Sequence, residues 1–388
     1  MTNLGDVAVI TDCEHKTATA CAPNERYAWS VGTKAIRSGR IVYDQSRAVD
    51  VSTYEQFTAR RVPAHGDLIL AREAPVGDCV IVPKDQRVCL GQRTVLLSAD
   101  AALLNHRYLY FLLHAPQAQA WMELHSAGST VKHLNVKDIY QIPLGILPPL
   151  EEQERIVGVL GAFDDLIETN RRLAADILEL TRDVYARAVA RATARIPLGT
   201  VAVANPEKRT PGDPGATLRY LDIGTMTDGS VGEPTSTTWS EAPSRARRGA
   251  ALGDVLWATV RPNRRAHGLL TRDIENLVVS TGVAVLRPTR LPMSLIFAHT
   301  DSQRFVEALV GRVDGSAYPA VKAADFLAVH VPDVSKEDID TFRHVIDPLW
   351  LAAGQLEEEA ISLTRQRDEL LPLLMSGRVR VRDLEAVA

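Results

Sequence analysis

The chain has 388 residues, of which 46% are hydrophobic and 24% charged, with a formal net charge of −4. This composition suits folded domains and argues against long disorder, and no apolar run approaches the roughly 18 residues of a membrane span. The opening MTNLGDVAVITDCEHK lacks the basic start and apolar centre of a signal peptide, so a cytoplasmic location without membrane association is expected. Cys13, Cys21, Cys79 and Cys89 are then expected as reduced thiols; their spacing fits no zinc motif, and His15 beside Cys13 lacks an evident fourth ligand, so no metal is expected.

In chain order, residues 1–148 carry a balance of +1 and form a first module. GDLILAREAPVGDCVIVP reads there as two short strands broken by Pro75 and Gly77. Residues 104–124 show helical spacing through Leu109, Leu112, Leu113, Trp121 and Leu124. Residues 149–194, at −3, predict one long helix. Its stripe runs Ile156, Val159, Leu160, Phe163, Leu166, Ile167, Leu173, Ile177, Leu180, Val184 and Ala188, with Glu151, Glu152 and Glu154 at the positive end of the helix dipole. Residues 195–334, at +2, form a second module, with the strand GDVLWATV and a helix over 291–311. Residues 335–388, at −4, open on the capping-box-like Ser335-Lys336-Glu337-Asp338. A second stripe follows through Ile339, Phe342, Ile346, Leu349, Leu356, Leu363 and Leu370; Pro348 should kink or split it, with Asp347 ending the first piece. Two long amphipathic helices can bury their stripes against each other as a coiled coil; packing of each helix on its own module is the alternative.

The second module repeats the first. Leu4-Gly5-Asp6-Val7-Ala8-Val9 recurs as Leu198-Gly199-Thr200-Val201-Ala202-Val203. Gly66-Asp67-Leu68-Ile69-Leu70-Ala71 recurs 187 residues on as Gly253-Asp254-Val255-Leu256-Trp257-Ala258. Gly128-Ser129-Thr130 and Asp138-Ile139 recur at that same spacing as Gly315-Ser316-Ala317 and Asp325-Phe326. The period is too long for a solenoid and indicates domain duplication. Strands followed by a helix, without regular alternation, predict an α+β fold: two similar globular modules, separated by a long antiparallel coiled-coil helix pair and related by a pseudo-twofold axis.

The strings at the junctions carry a family resemblance. IPLGILPPLEEQERIVGVLGAFDDLIETN (142–170) resembles the central conserved region of type I restriction-modification specificity (S) subunits, and LTRQRDELLPLLMSGRVRV (363–381) is similar to their distal conserved region. Residues 72–97 and 278–288 resemble segments of that family's target-recognition domains. The resemblance implies target-recognition domains at 1–148 and 195–334, each reading half of a split double-stranded DNA sequence. It implies coiled-coil spacer helices at 149–194 and 335–388. It also implies partners: methyltransferase (modification) subunits, two of them, and a motor-nuclease (restriction) subunit joining through the complex.

No chemistry of the chain's own is legible. There is no phosphate loop, no dinucleotide fingerprint, no H-E-x-x-H and no [ND]-P-P-[YFW] motif; Asp347-Pro348-Leu349-Trp350 has Leu at the second proline and reads as a kink with core packing. The reading is therefore a subunit non-catalytic by itself, without cofactor. The alternatives are a self-contained nuclease or methyltransferase, and a coiled-coil scaffold without DNA reading. For base and phosphate contacts the sequence nominates Lys34, Arg37 and Arg40, and Lys132, His133 and Asn135, in the first module. In the second it nominates Arg245, Arg247 and Arg248, then Arg261, Asn263, Arg264 and Arg265, then Tyr318 and Lys322. Each alone could equally be a solvated surface residue.

Overall fold

A computed structural model describes residues 2–128, 132–312 and 320–381. Tyr318, most of the Gly128-Ser129-Thr130 turn and all of Gly315-Ser316-Ala317 lie outside the described residues. The chain divides into two units, one made of residues 1–165 with 363–388, the other of residues 166–362.

The repeated Gly-Asp strings build the same corner in each unit. Gly66 and Gly253 sit at φ +91° and +87°, a region closed to most side chains. The following aspartate closes the turn: Asp67 accepts the Ala64 N–H at 2.9 Å, and Asp254 the Ala251 N–H at 2.8 Å. The strands that leave these corners, Leu68–Ala71 and Val255–Ala258, are buried at every position. Alternation explains that pattern, because a strand turns successive side chains to opposite faces. Leu68 and Leu70 enter one core of the first unit, Ile69 and Ala71 a second. Val255 and Trp257, then Leu256 and Ala258, divide likewise in the second unit. An uninterrupted apolar run is what a sheet covered on both faces requires.

The sheets of the two units correspond. In the first, the order is Ala8–Asp12, Thr94–Ala99, Leu68–Ala71, Cys79–Ile81, all antiparallel. In the second it is Ala202–Ala204, Val283–Pro288, Val255–Ala258, His267–Leu269, extended by a parallel fifth strand, Met226–Val231. Another sheet pairs Ala28–Val31 with Val88–Leu90 in parallel, as Thr217–Leu221 pairs with Leu277–Ser280. There the second unit adds Ala246–Gly249 and Glu207–Lys208.

Each helix expected over 104–124 and 291–311 is in fact two. His106–His114 gives way to Pro116–Leu124 at Ala115, because Pro116 cannot donate to the preceding turn. Leu124 is 80% exposed, so the continuous stripe ends before it. Met293–Asp301 gives way to Gln303–Val310 at Ser302, whose side chain caps the new helix by accepting the Phe305 N–H.

The central helix runs Leu150–Arg191, 42 residues, and the C-terminal helix Asp347–Met375. Ser335 caps Lys336–Thr341 as its sequence predicts, accepting the Asp338 N–H at 3.1 Å. The break near Pro348 differs from the expectation: a π-helical turn, Phe342–Ile346, absorbs it, and Asp347 opens the second piece instead of closing the first. Within the first unit Ile156 and Leu160 share a core with Leu371 and Leu374, and Arg367 pairs with Asp164 at 2.6 Å. Within the second, Asn170 donates to Glu359 at 3.0 Å, and the Trp350 indole donates to buried Thr181 at 2.9 Å. Partner numbers fall as helix numbers rise, so the pairing is antiparallel. Leu166, Leu173 and Leu180 were expected in the stripe but are 49%, 43% and 41% exposed; buried Asn170 and Thr181 take seam positions instead.

Gly354 lets the C-terminal helix pack closely on Thr271 of the second module. A Cβ there would lie 2.4 Å from the Thr271 carbonyl oxygen. Gly354→Ala is expected to destabilise by about 1–3 kcal/mol, since backbone must move to admit it. Urea unfolding of the full chain followed by circular dichroism measures this, and an unchanged midpoint would contradict the close approach.

Candidate nucleic-acid interface

Some of the nominated residues lie near a piece of local geometry that recurs in both units. In the second unit the chain leaving Val255–Ala258 runs along residues 320–322: Val260 bridges Ala320, and the Val321 N–H donates to the Thr259 carbonyl at 2.7 Å. In the first unit Glu73 bridges His133, and the Leu134 N–H donates to the Arg72 carbonyl at 2.9 Å. This register brings Lys322 alongside the end of Val255–Ala258, and Lys132, His133 and Asn135 beside residues 72–73.

The 261–265 loop holds an uncommon backbone. Arg261 and Arg265 both adopt the left-handed region, at φ +52° and +53°, flanking a single turn of tighter helix at Pro262–Arg264. Such residues persist only where their surroundings fix them. Arg265 supplies the fixing: its guanidinium donates to the Asp301 carboxylate and carbonyl, each at 2.7 Å, and to Asp228 at 3.1 Å. Asp301 also receives Arg182 of the central helix, at 2.8 and 3.0 Å, and His267 Nε2 at 3.0 Å. His267 is fully buried, stacked at 4.3 Å on Trp257 and at 5.7 Å on Phe297. Burial alone would raise the Asp301 carboxyl; the His267 and Arg182 donors outweigh it and hold it well below the usual carboxylate range. Asp228, His267 and Asp301 present ligand-type atoms within 4.8 Å of one another, but guanidinium groups engage both carboxylates. Asn263 and Arg264 project into solvent and Arg261 is half-buried.

The first unit builds this junction from other residues. His114, which ends His106–His114, stands 187 positions before Asp301. It lies 3.7 Å from the Cys79 sulfur and 3.6 Å from Asp78. Asp78 accepts the backbone N–H groups of Ser38 and Gly39, at 3.0 and 3.3 Å, and so fixes the tip of the hairpin formed by Ile36–Arg37 and Arg40–Ile41. That hairpin, with the adjoining turn Thr33–Ala35, carries Lys34, Arg37 and Arg40; Lys34 and Arg37 are exposed and Arg40 half-buried. Each unit thus pairs a helix-end residue with a loop residue of opposite charge tendency, His114 with Asp78 in the first and Asp301 with Arg265 in the second, so the acid and the base have exchanged positions.

Other nominated residues have structural partners. Arg37 donates to the Thr33 and Ile36 carbonyls, and Lys132 pairs with Glu123 at 2.9 Å on the surface. Asn135 precedes Val136–Ile139 and donates to Asp138 at 2.9 Å. Arg245, Arg247 and Arg248 lie in or beside Ala246–Gly249, which has no counterpart among the described residues of the first unit. Arg245 is exposed, Arg247 bonds the Ala246 carbonyl, and Arg248 turns inward onto the Val283 carbonyl, where desolvation lowers its pKa. Asp78, His114, Arg182, Asp228, His267 and Asp301 escaped the sequence reading. The 187-residue repeat spacing, which relates His114 to Asp301 and Asp78 to Arg265, was a signal for part of this set.

Residues 1–179 match the type I restriction modification DNA specificity domain. The first half of the chain is thus similar to the DNA specificity domain of type I restriction-modification systems. A putative type I restriction enzyme MjaX specificity subunit of Methanocaldococcus jannaschii is 31% identical over 106 residues, 27% of this chain and 24% of that one. The type I restriction enzyme EcoBI specificity subunit of Escherichia coli is 27% identical over 160 residues, 39% of this chain and 33% of that one. The alignments thus span a quarter to a third of those relatives' length. The crystal structure of a type I restriction-modification S subunit from M. genitalium shares the fold, with a TM-score of 0.53 over 96% of this chain and 94% of that chain, at 17% identity. Among the described residues no helix is long and apolar enough to cross a membrane.

Proposed function

We propose that this chain is a type I specificity subunit that reads a two-part double-stranded DNA target, residues 1–148 addressing one half-site and 195–334 the other. It is non-catalytic by itself; segments 149–194 and 335–388 space the readers and dock two methyltransferase subunits, through which a motor-nuclease subunit joins. One observation carries the reading: the two units share the same core sheets, four strands of one and the parallel pair of the other, yet present different basic side chains on their loops. A duplicated frame with divergent loops suits two separate base sequences, as paired half-site readers do.

Arg261→Ala and Arg264→Ala should each weaken binding by about 1–3 kcal/mol and relax preference in one half-site only, if they touch base edges. Phosphate contacts would instead weaken all sequences alike and flatten the salt dependence. Binding of the subunit with its methyltransferase partner, at two salt concentrations and with each half-site scrambled in turn, separates these results. Loss of preference in both half-sites at once would sink the two-reader model. Methyl transfer by the pure chain would favour a self-contained enzyme.

A further inference from the structure

Both units carry a cavity at the same place in their scaffolds, at the entry to the parallel strand pair. In the first unit it lies where Ala28–Val31 and Val88–Leu90 begin, and encloses about 440 Å³. In the second it lies where Thr217–Leu221 and Leu277–Ser280 begin, and encloses about 370 Å³. The registers agree: Trp29 stands beside Val88, as Arg219 stands beside Leu277.

The linings have diverged. In the second unit Arg219 and Arg272 are both bound by Glu233, and Asp273, Glu275 and Glu358 complete an acidic wall. In the first unit the wall is aromatic and cationic: Tyr27, Trp29 and Tyr54 with Arg26, Lys84 and Arg87, against the single acid Asp85. The Arg87 guanidinium lies 4.7 Å over the Tyr27 ring and that of Arg26 4.5 Å over Trp29, while Tyr54 meets Tyr27 edge-on at 5.3 Å. Because the second unit builds the same strand entry without aromatic rings, the fold does not require them there.

We propose that the first-unit cavity is a nucleotide-binding site, taking a nucleoside phosphate whose base stacks on the arginine–tyrosine surface and whose phosphate meets Lys84 and Arg87. Flat π surfaces beside fixed guanidinium groups select a ligand that is both aromatic and anionic. The volume falls in the range of small-molecule sites. That chemistry has two sources, a free mononucleotide or a nucleotide of a DNA strand. The site stands independently of the half-site reading proposed above.

The test is calorimetric titration of the full chain with deoxyadenosine monophosphate, deoxyadenosine, inorganic phosphate, and single-stranded and duplex oligonucleotides. The monophosphate should bind more tightly than either of its parts. Arg87→Gln, Lys84→Gln and Tyr27→Ala, all at exposed positions, should each weaken binding roughly tenfold without changing the melting temperature. Binding that oligonucleotides do not displace identifies a free nucleotide as the source; Tyr27-dependent binding of single strands alone identifies DNA. Phosphate binding as well as the monophosphate would overturn the proposal, as would affinities indifferent to the three substitutions, or no binding of monophosphate and single strand alike.

Discussion

Replacing Asp301 by Ala should cost the protein about 3–5 kcal/mol of stability, because one carboxylate answers Arg182, Arg265 and His267 together. Its side chain is 5% exposed, so water cannot take its place. Loss of the clamp also leaves Arg265 with Asp228 and the residue 301 carbonyl alone, weakening the restraint on the left-handed backbone of the 261–265 loop. The Asp301 pKa is lowered, so its contribution is present above the unfolded carboxyl pKa of about 4 and is lost only as pH falls through the lower folded value. The difference between wild type and Asp301→Ala should therefore stay constant from pH 7 down to about 4.5 and close in stronger acid. Urea midpoints across that range measure it; a difference that closed between pH 7 and 5 would assign the effect to another group. If the loop reads DNA, Arg265→Gln should relax the preference of one half-site while the salt dependence of binding stays unchanged, since Arg265 serves as a positioning residue and not as a phosphate contact.

The second large effect is expected at the duplicated Gly-Asp corner, and it should be unequal. Asp254 is 1% exposed and closes its turn while receiving Arg287 through two bonds of 2.8 Å; Arg287 also reaches Glu207. Its counterpart Asp67 accepts the turn N–H of Ala64 and, among the described residues, pairs with no guanidinium. Asp254→Ala should thus cost about 3–5 kcal/mol, having stranded an arginine as well as a backbone N–H. Asp67→Ala should cost about 1–3 kcal/mol, the loss for one unsatisfied donor. Thermal and urea unfolding of the two variants side by side gives the comparison. Equal losses would mean that the Arg287 pair adds nothing at this site.

The duplication was legible because its strings serve backbone needs that admit few residues. Gly66 and Gly253 supply a φ that side chains resist, and Asp67 and Asp254 close a turn through their own carboxylates, so the letters survive in both copies. The long helices were legible from periodicity, and Ser335 from its cap. Periodicity does not say which of several apolar positions meets a partner. Leu166, Leu173 and Leu180 fit the stripe and face out, because antiparallel packing selects a narrower seam and fills part of it with Asn170 and Thr181.

The basic residues were nominated from local density along the chain, and that identified Arg261, Asn263, Arg264 and Arg265 as one loop. What each does there was not in the sequence. Arg265 and Arg264 are neighbours of the same type, yet one is held by two carboxylates and the other points to solvent. The deciding groups, Asp228 and Asp301, lie more than thirty residues away in either direction. Sequence patterns determined the elements and their repetition, since these depend on neighbours a few positions apart. Tertiary structure alone decided which charges are consumed in holding the loop and which remain outward, since an ion pair depends on distance in space and on burial, neither of which the order of residues records.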